Sequence, residues 1–440
     1  MTGAAPTVVL RSATLSGGSV VAGLRLLGDV VADVRVRPEG VAAVDPPGTL
    51  GPARGDAVHD LAGYVLLPAP AEPHAHLDKA LLADRAVNRT GDLEGAVEAM
   101  RSLGPLTHAD VLGRARRAAL LYLGHGVTAI RSHVDVGGAA GLDHLEPLLR
   151  LRAELAGTVT LQLVALVAAP VTGRVGADNR AVLREALARG ADVAGGAPHL
   201  DPDPPAATAV TLAVAADAGV PVDLHTDETL DAGSTGLVDL AHHVLATGFP
   251  HPVTASHCVS LGMLPPERAT RIADDVARAG VRVVTLPLTN LYLQGRGRDT
   301  AVPRGLTALR TLLDAGVVVA AGGDNLRDPF HPLGRADPLE TAALLVSAGQ
   351  LRPEEAWDAV SAAARDVLGL PAVPRFGVVR PGAPAELLAV RGSGLRDAVA
   401  AADADRTVVS GGRVVVRTRV NRTYPVDLTM TTDAHVNRVT

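Results

Sequence analysis

Between residues 67 and 373 the chain alternates short apolar segments with helix-like stretches, and this alternation limits the possible folds more than any other feature. The apolar segments are "VTAIRSHVDV", "TLQLVALVA", "DVAGGAPHL", "VPVDLHTD", "VTASHC", "VRVVTLPL" and "VVVAAGGD". Stretches such as "ADVLGRARRAALLYLGHG" and "NRAVLREALARG" lie between them and end at Gly, a helix stop signal. Strands and helices recurring at this spacing make βα units and a parallel sheet. The segments are apolar on both sides, as parallel strands covered on both faces must be. With "YVLLPA" as the first strand the count is about eight, which predicts an α/β chain built on a (β/α)8 TIM barrel.

The chain ends read differently. Val-rich β segments broken by Gly and Pro fill residues 1–66 and 374–425, which predicts a small β-sandwich domain formed by both chain ends. In it "RTVVSGGRVVVRTRV" reads as a hairpin turning at Gly411-Gly412. The expected division is therefore a composite β domain (1–66 and 374–425), a catalytic barrel (67–373) and a tail (426–440). At 440 residues and 47% hydrophobic composition a sizeable core is within reach.

Composition removes several functions. The net charge is −6, aromatics are 2% and no basic stripe is present, so a nucleic-acid partner is not expected. No uncharged apolar run is long enough for a membrane span, and the N-terminus lacks a secretory pattern. The single cysteine, Cys258, fits a reducing, cytoplasmic setting. A small-molecule substrate is the expected partner. A homo-oligomer is compatible with such a barrel.

The polar residues gather where the proposed strands end. His74 and His76 follow the first, His133 and Asp135 the second, His225 and Glu228 the fifth, His257 the sixth and Asp324 the eighth. In a barrel these ends converge on one mouth, where active sites are built. Residues i and i+2 of a strand share a side, so both imidazoles of His-x-His can reach one ion. Three imidazoles and a carboxylate suit one divalent metal ion, Zn or Fe, with a position left for water. Glu228 is placed to move a proton between water and a leaving nitrogen. His257 reads either as a further ligand or as a group that polarises the attacking hydroxide. His133 and Asp135 read as orienting groups behind the ligands or as structural residues, and His199 is read in the same two ways. The helical His242 and His243 read as structural.

Lysine occurs once, as Lys79. A carbamylated lysine from a middle strand, the bridge of two-metal barrels, is therefore not available, and a single metal is expected. Lys79 itself reads as a partner for an anionic substrate group, or as a residue without a functional role.

"EPHAHLDKA", "DLHTDE", "VTASHC", "TLPLTNLYLQGR" and "GGDNLRDPFHPLG", in that order over about residues 60–420, resemble the cytosine deaminase branch of the amidohydrolase superfamily. The resemblance implies a distorted (β/α)8 barrel, a small β domain from both ends and a mononuclear Zn or Fe site. It matches His74, His76, His225 and Asp324 to the metal ligands, Glu228 to the proton shuttle, and His257 to the histidine beside a metal-bound hydroxide. That hydroxide would attack an amidine-like ring carbon and release ammonia. The substrate-reading positions depart from the family's pattern: Ala168 replaces a glutamine, Asn325 an aspartate and Phe330 a tryptophan. A pocket that loses an edge-reading group changes selectivity by large factors. The expected activity is thus deamination of a cyclic amidine or heterocyclic amine other than cytosine. The alternative is an amidase or cyclic amide hydrolase using the same water, and a third, a ligand-binding scaffold without activity, is disfavoured because no ligand is missing.

Overall fold

The computed structural model describes residues 8–15, 20–21, 24–25, 30–51 and 56–423. The tail at 426–440 lies outside the described residues.

Eight parallel strands form the barrel: β1 (Ala71–Ala75), β2 (Ala129–Val136), β3 (Thr160–Val167), β4 (Val193–Gly196), β5 (Val222–Thr226), β6 (Val253–His257), β7 (Arg282–Thr285) and β8 (Val319–Ala321). They pair in sequence order, and helices such as His108–Gly124 and Ala177–Ala188 cover the outside. β1, β5 and β6 are buried along their whole length, including the polar side chains they carry, such as Glu72, His74, Asp223, His225, Ser256 and His257. Caps define the helix starts: Thr107 accepts the Asp110 amide, and Asp203 accepts the Ala206 amide ahead of a Pro in the first turn.

The first barrel strand is not the expected one. "YVLLP", Tyr64–Pro68, belongs to the terminal sheet, and β1 begins three residues later. Pro68 and Pro70 break the strand and hand the chain from one sheet to the other. Tyr64–Pro68 is apolar throughout because it has two dry faces. Val65 and Leu67 pack into the barrel core, and Tyr64 and Leu66 into the core of the terminal sheet. The expected boundary at 66/67 cuts this strand.

Both chain ends meet in that terminal sheet. Leu387–Arg391 pairs antiparallel with Tyr64–Pro68 and with Arg406–Ser410, and Arg413–Arg417 completes the hairpin at Gly411-Gly412. The sheet encloses its own core of Leu10, Val34, Val36, Leu66, Leu387 and Val409, among others. Among the described residues, no helix is long and apolar enough to cross a membrane.

One buried ion pair ties sheet to barrel. Arg406, 1% exposed, donates to both Asp337 oxygens at 2.9 and 2.7 Å and to the His125 carbonyl at 3.1 Å. Asp337 also caps the helix Pro338–Ser347. Asp337→Ala strands a buried guanidinium and is expected to destabilise the fold by about 3–5 kcal/mol. Urea unfolding followed by far-UV CD measures this, and an unchanged midpoint refutes it.

Candidate active site

The strand ends carry their side chains to one point. His74 lies within β1 and His76 just beyond it, His225 is the last residue but one of β5, His257 ends β6 and Asp324 follows β8. All five are nearly inaccessible to solvent. Asp227, His257, Cys258 and Asp324 adopt positive φ (50°, 71°, 50° and 61°). Such conformations cost energy in non-glycine residues and collect where geometry serves function.

Nε2 of His76 lies 3.3 Å from Nε2 of His225 and 3.3 Å from Oδ1 of Asp324, and Nε2 of His74 lies 3.7 Å from the same Oδ1. Nε2 of His74 and both Asp324 oxygens are buried without a hydrogen-bond partner. Bonds of about 2.0–2.1 Å to one tetrahedral ion separate neighbouring ligand atoms by about 3.3–3.4 Å. The residues therefore fit a single divalent cation. Burial holds His74 and His225 far below the usual imidazole range, and so neutral, as ligands must be. Burial opposes ionisation of Asp324, but the nearness of His76 and His257 outweighs it and holds the carboxyl below its usual range.

A second layer sets the imidazole orientations. Ser256 Oγ sits 2.9 Å from Nδ1 of His74 and donates to Asp223 Oδ1 at 2.9 Å, while Asp223 takes Arg131 at 2.8 Å. A fixed Nδ1 aims Nε2 at the centre. His133 lies behind His74, with ring centroids 3.8 Å apart. Its Nε2 is 3.8 Å from Asp223. Nδ1 of His257 is 3.1 Å from Asn290 Oδ1 and 3.6 Å from Glu228 Oε1, and its Nε2 is buried and unpartnered. Burial raises the Glu228 carboxyl above its usual range, and His257 offsets part of that rise.

The remaining candidates divide between two places. Lys79 Nζ donates to Asp135 at 2.8 Å and stands 5.7 Å from the centre of the Phe330 ring. Burial would lower the lysine's proton affinity, but Asp135 and Asp78 raise it further. Asn325 donates to Asp328 at 2.9 Å and accepts from Thr289 at 3.3 Å. Ala168 follows β3 and lies against the Gly137-Gly138 turn. A cavity of about 730 Å³ opens over His225 and Glu228, lined also by His199, Asp92, Glu94, Asp231 and Asp239. None of the residues lining it is Lys or Arg. His199 holds its place by donating from Nδ1 to the His225 carbonyl at 3.3 Å.

Sequence reasoning missed Ser256, Asp223 and Asn290. Ser256 was legible only as the neighbour of His257 in "VTASHC"; Asp223 and Asn290 carry no spacing signal.

The amidohydrolase family model matches residues 81–416, a span holding His225, Glu228, His257 and Asp324 but starting just after His74 and His76. The chain is 33% identical to the pterin deaminase of Rhizobium rhizogenes, over 93% of this chain and 94% of that protein. The N-isopropylammelide isopropylaminohydrolase structure from Burkholderia multivorans is 30% identical with TM-score 0.78, covering 94% of this chain and 98% of that one. The 5-methylcytosine deaminase structure from Klebsiella pneumoniae is 25% identical with TM-score 0.81, covering 95% and 100%. With its parallel barrel, its convergent histidines and these matches, the chain belongs to the amidohydrolase family and is a hydrolase acting on carbon–nitrogen bonds.

Proposed function

We propose that the chain is a metal-dependent deaminase that releases ammonia from an uncharged amino-substituted nitrogen heterocycle larger than cytosine. The observation that carries this reading is the convergence of His74, His76, His225 and Asp324 beside the buried carboxylate of Glu228. A divalent ion, Zn or Fe, held by those four residues supplies Lewis acidity, which acidifies water and polarises the carbon under attack. Glu228 accepts the proton of the attacking water and delivers it to the leaving nitrogen. His257, fixed through Asn290, turns Nε2 toward that water and steadies its approach. His133 and Ser256 hold the His74 ring.

The walls support an uncharged substrate. Carboxylates line the cavity, and the charge of Lys79 is already matched by Asp135. Neither feature favours an anionic substrate. Lys79, Ala168, Asn325 and Phe330 are the proposed substrate-contacting residues; they lie outside the lining of that cavity, and alanine at 168 lacks the polar group that would read a small ring. The kinship to a pterin deaminase makes a bicyclic amine the first choice. The relative named for isopropylammelide favours a second reading, release of a substituted amine instead of ammonia. The cytoplasmic setting stays part of the proposal, resting on the single cysteine.

Metal content and product assay test this together. About one Zn or Fe per chain is expected, with ammonia released from pterin faster than from cytosine. 6-Carboxypterin is expected to react with a kcat/KM about tenfold lower, a gap that narrows in salt. A metal-free protein that cannot be reconstituted sinks the mechanism, and amine release without ammonia selects the second reading.

A further inference from the structure

We infer that Glu72 is a positioning residue that clamps the seam of the barrel and so sets three of the four proposed metal ligands; this rests on the metal reading above. The barrel sheet runs in hydrogen-bonded order from β1 to β8, and no ladder joins its two edges. At the strand ends one bridge joins Ala75 to Asp324, with the Asp324 amide donating to the His74 carbonyl at 3.1 Å, and farther out the Leu81 and Ala83 amides donate to the Leu326 and Arg327 carbonyls at 2.8 Å each. His74 and His76 stand on one side of that gap and Asp324 on the other. With one bridge between the edge strands themselves, a side chain that bonds to both edges has room to set the spacing of the ligands across the seam.

Glu72 spans it. The residue is 3% exposed. Oε1 accepts the His74 amide at 3.1 Å, and Oε2 accepts the Gly323 amide at 2.9 Å. The carboxylate thus takes one amide from each edge: that of a ligand itself, and that of the residue just before a ligand. The two amides reach different oxygens, and a carboxylate offers an acceptor at both positions where a glutamine side chain offers one. The glycine pair ahead of Asp324 makes the space. A Cβ at Gly322 would lie 2.3 Å from Oε1, and one at Gly323 would lie 3.2 Å from Oε2. The "EPHAH" and "GGD" segments are therefore two halves of one device. One half brings the clamp and two ligands; the other brings room for the clamp and a third ligand.

The test compares wild type with Glu72→Gln, Gly322→Ala and the milder Gly323→Ala. Each protein is prepared without metal and titrated with cobalt(II). The readouts are affinity by chelator competition, the cobalt d–d absorption, and hydrogen–deuterium exchange of peptides covering 71–76 and 319–326. Glu72→Gln keeps the volume but turns an NH2 donor against one of the amides. It is expected to bind cobalt about 10–100-fold more weakly, with an altered absorption band and faster exchange at both edges. Gly322→Ala displaces the carboxylate and is expected to do the same; Gly323→Ala is expected to fall between it and wild type, and supplies the answer where a harsher variant does not fold. Wild-type affinity and spectrum in Glu72→Gln overturn the inference whatever happens to Tm, because a merely structural acid would move Tm alone. If the wild type takes up no metal, the metal reading fails and ligand setting with it. Exchange in the metal-free proteins then still decides the clamp, and unchanged exchange overturns it.

Discussion

Replacing Glu228 by glutamine is expected to lower kcat for ammonia release about 10³-fold while the protein keeps its metal. The carboxylate sits just past β5, 7% exposed, with Oε1 3.6 Å from Nδ1 of His257. Glutamine matches its size, so packing survives, but an amide cannot accept a proton near neutral pH. Positioned proton transfer contributes typically about 10²–10⁴-fold. Burial moves the Glu228 carboxyl upward, toward the range where a base both takes and returns a proton readily. Steady-state ammonia assays and elemental analysis of the same sample give the answer. A near-normal kcat removes Glu228 from proton transfer, and loss of metal would move it into the ligand set.

His74→Ala is expected to do the reverse: metal content falls to near zero and activity by at least about 10⁴-fold, with the fold retained. His74 supplies a buried nitrogen with no partner other than the proposed ion, since its second nitrogen is held by Ser256. Without the imidazole, Asp324 and His76 lose a neighbour but Ser256 keeps its bond to Asp223 at 2.9 Å. The barrel strands on either side are paired elsewhere along their length. Full metal occupancy in His74→Ala would break the proposed ligand set. The contrast between the two variants, one losing chemistry and the other losing metal, separates catalysis from binding.

Much of this was legible in the chain itself. Strand and helix alternation predicts the barrel because covered parallel strands must be apolar on both faces, and all but one of the strands lie where that pattern puts them. The exception is instructive. Tyr64–Pro68 reads as a barrel strand because it too has two dry faces, but its second face belongs to another sheet. Periodicity reports that a face is dry, not which layer dries it. The convergent histidines were legible for a related reason, since each closes an apolar run and a barrel gathers such ends at one mouth. Ser256, Asp223 and Glu72 were not, because a buried polar residue looks the same in sequence whether it supports a ligand or fills a core.

By itself the sequence determines the barrel, the residue types that can hold a divalent ion, the absence of a second lysine to bridge two ions, and an amidohydrolase-like order of motifs. These are local properties, set by side-chain chemistry and by the period of burial. Only the tertiary structure decides that Nε2 of His76 stands 3.3 Å from both His225 and Asp324, that Asp135 already balances Lys79, and that Glu72 bridges the two edges of the seam. Those facts depend on segments 56 to 251 residues apart meeting in one register, and no local pattern encodes a distance of that kind.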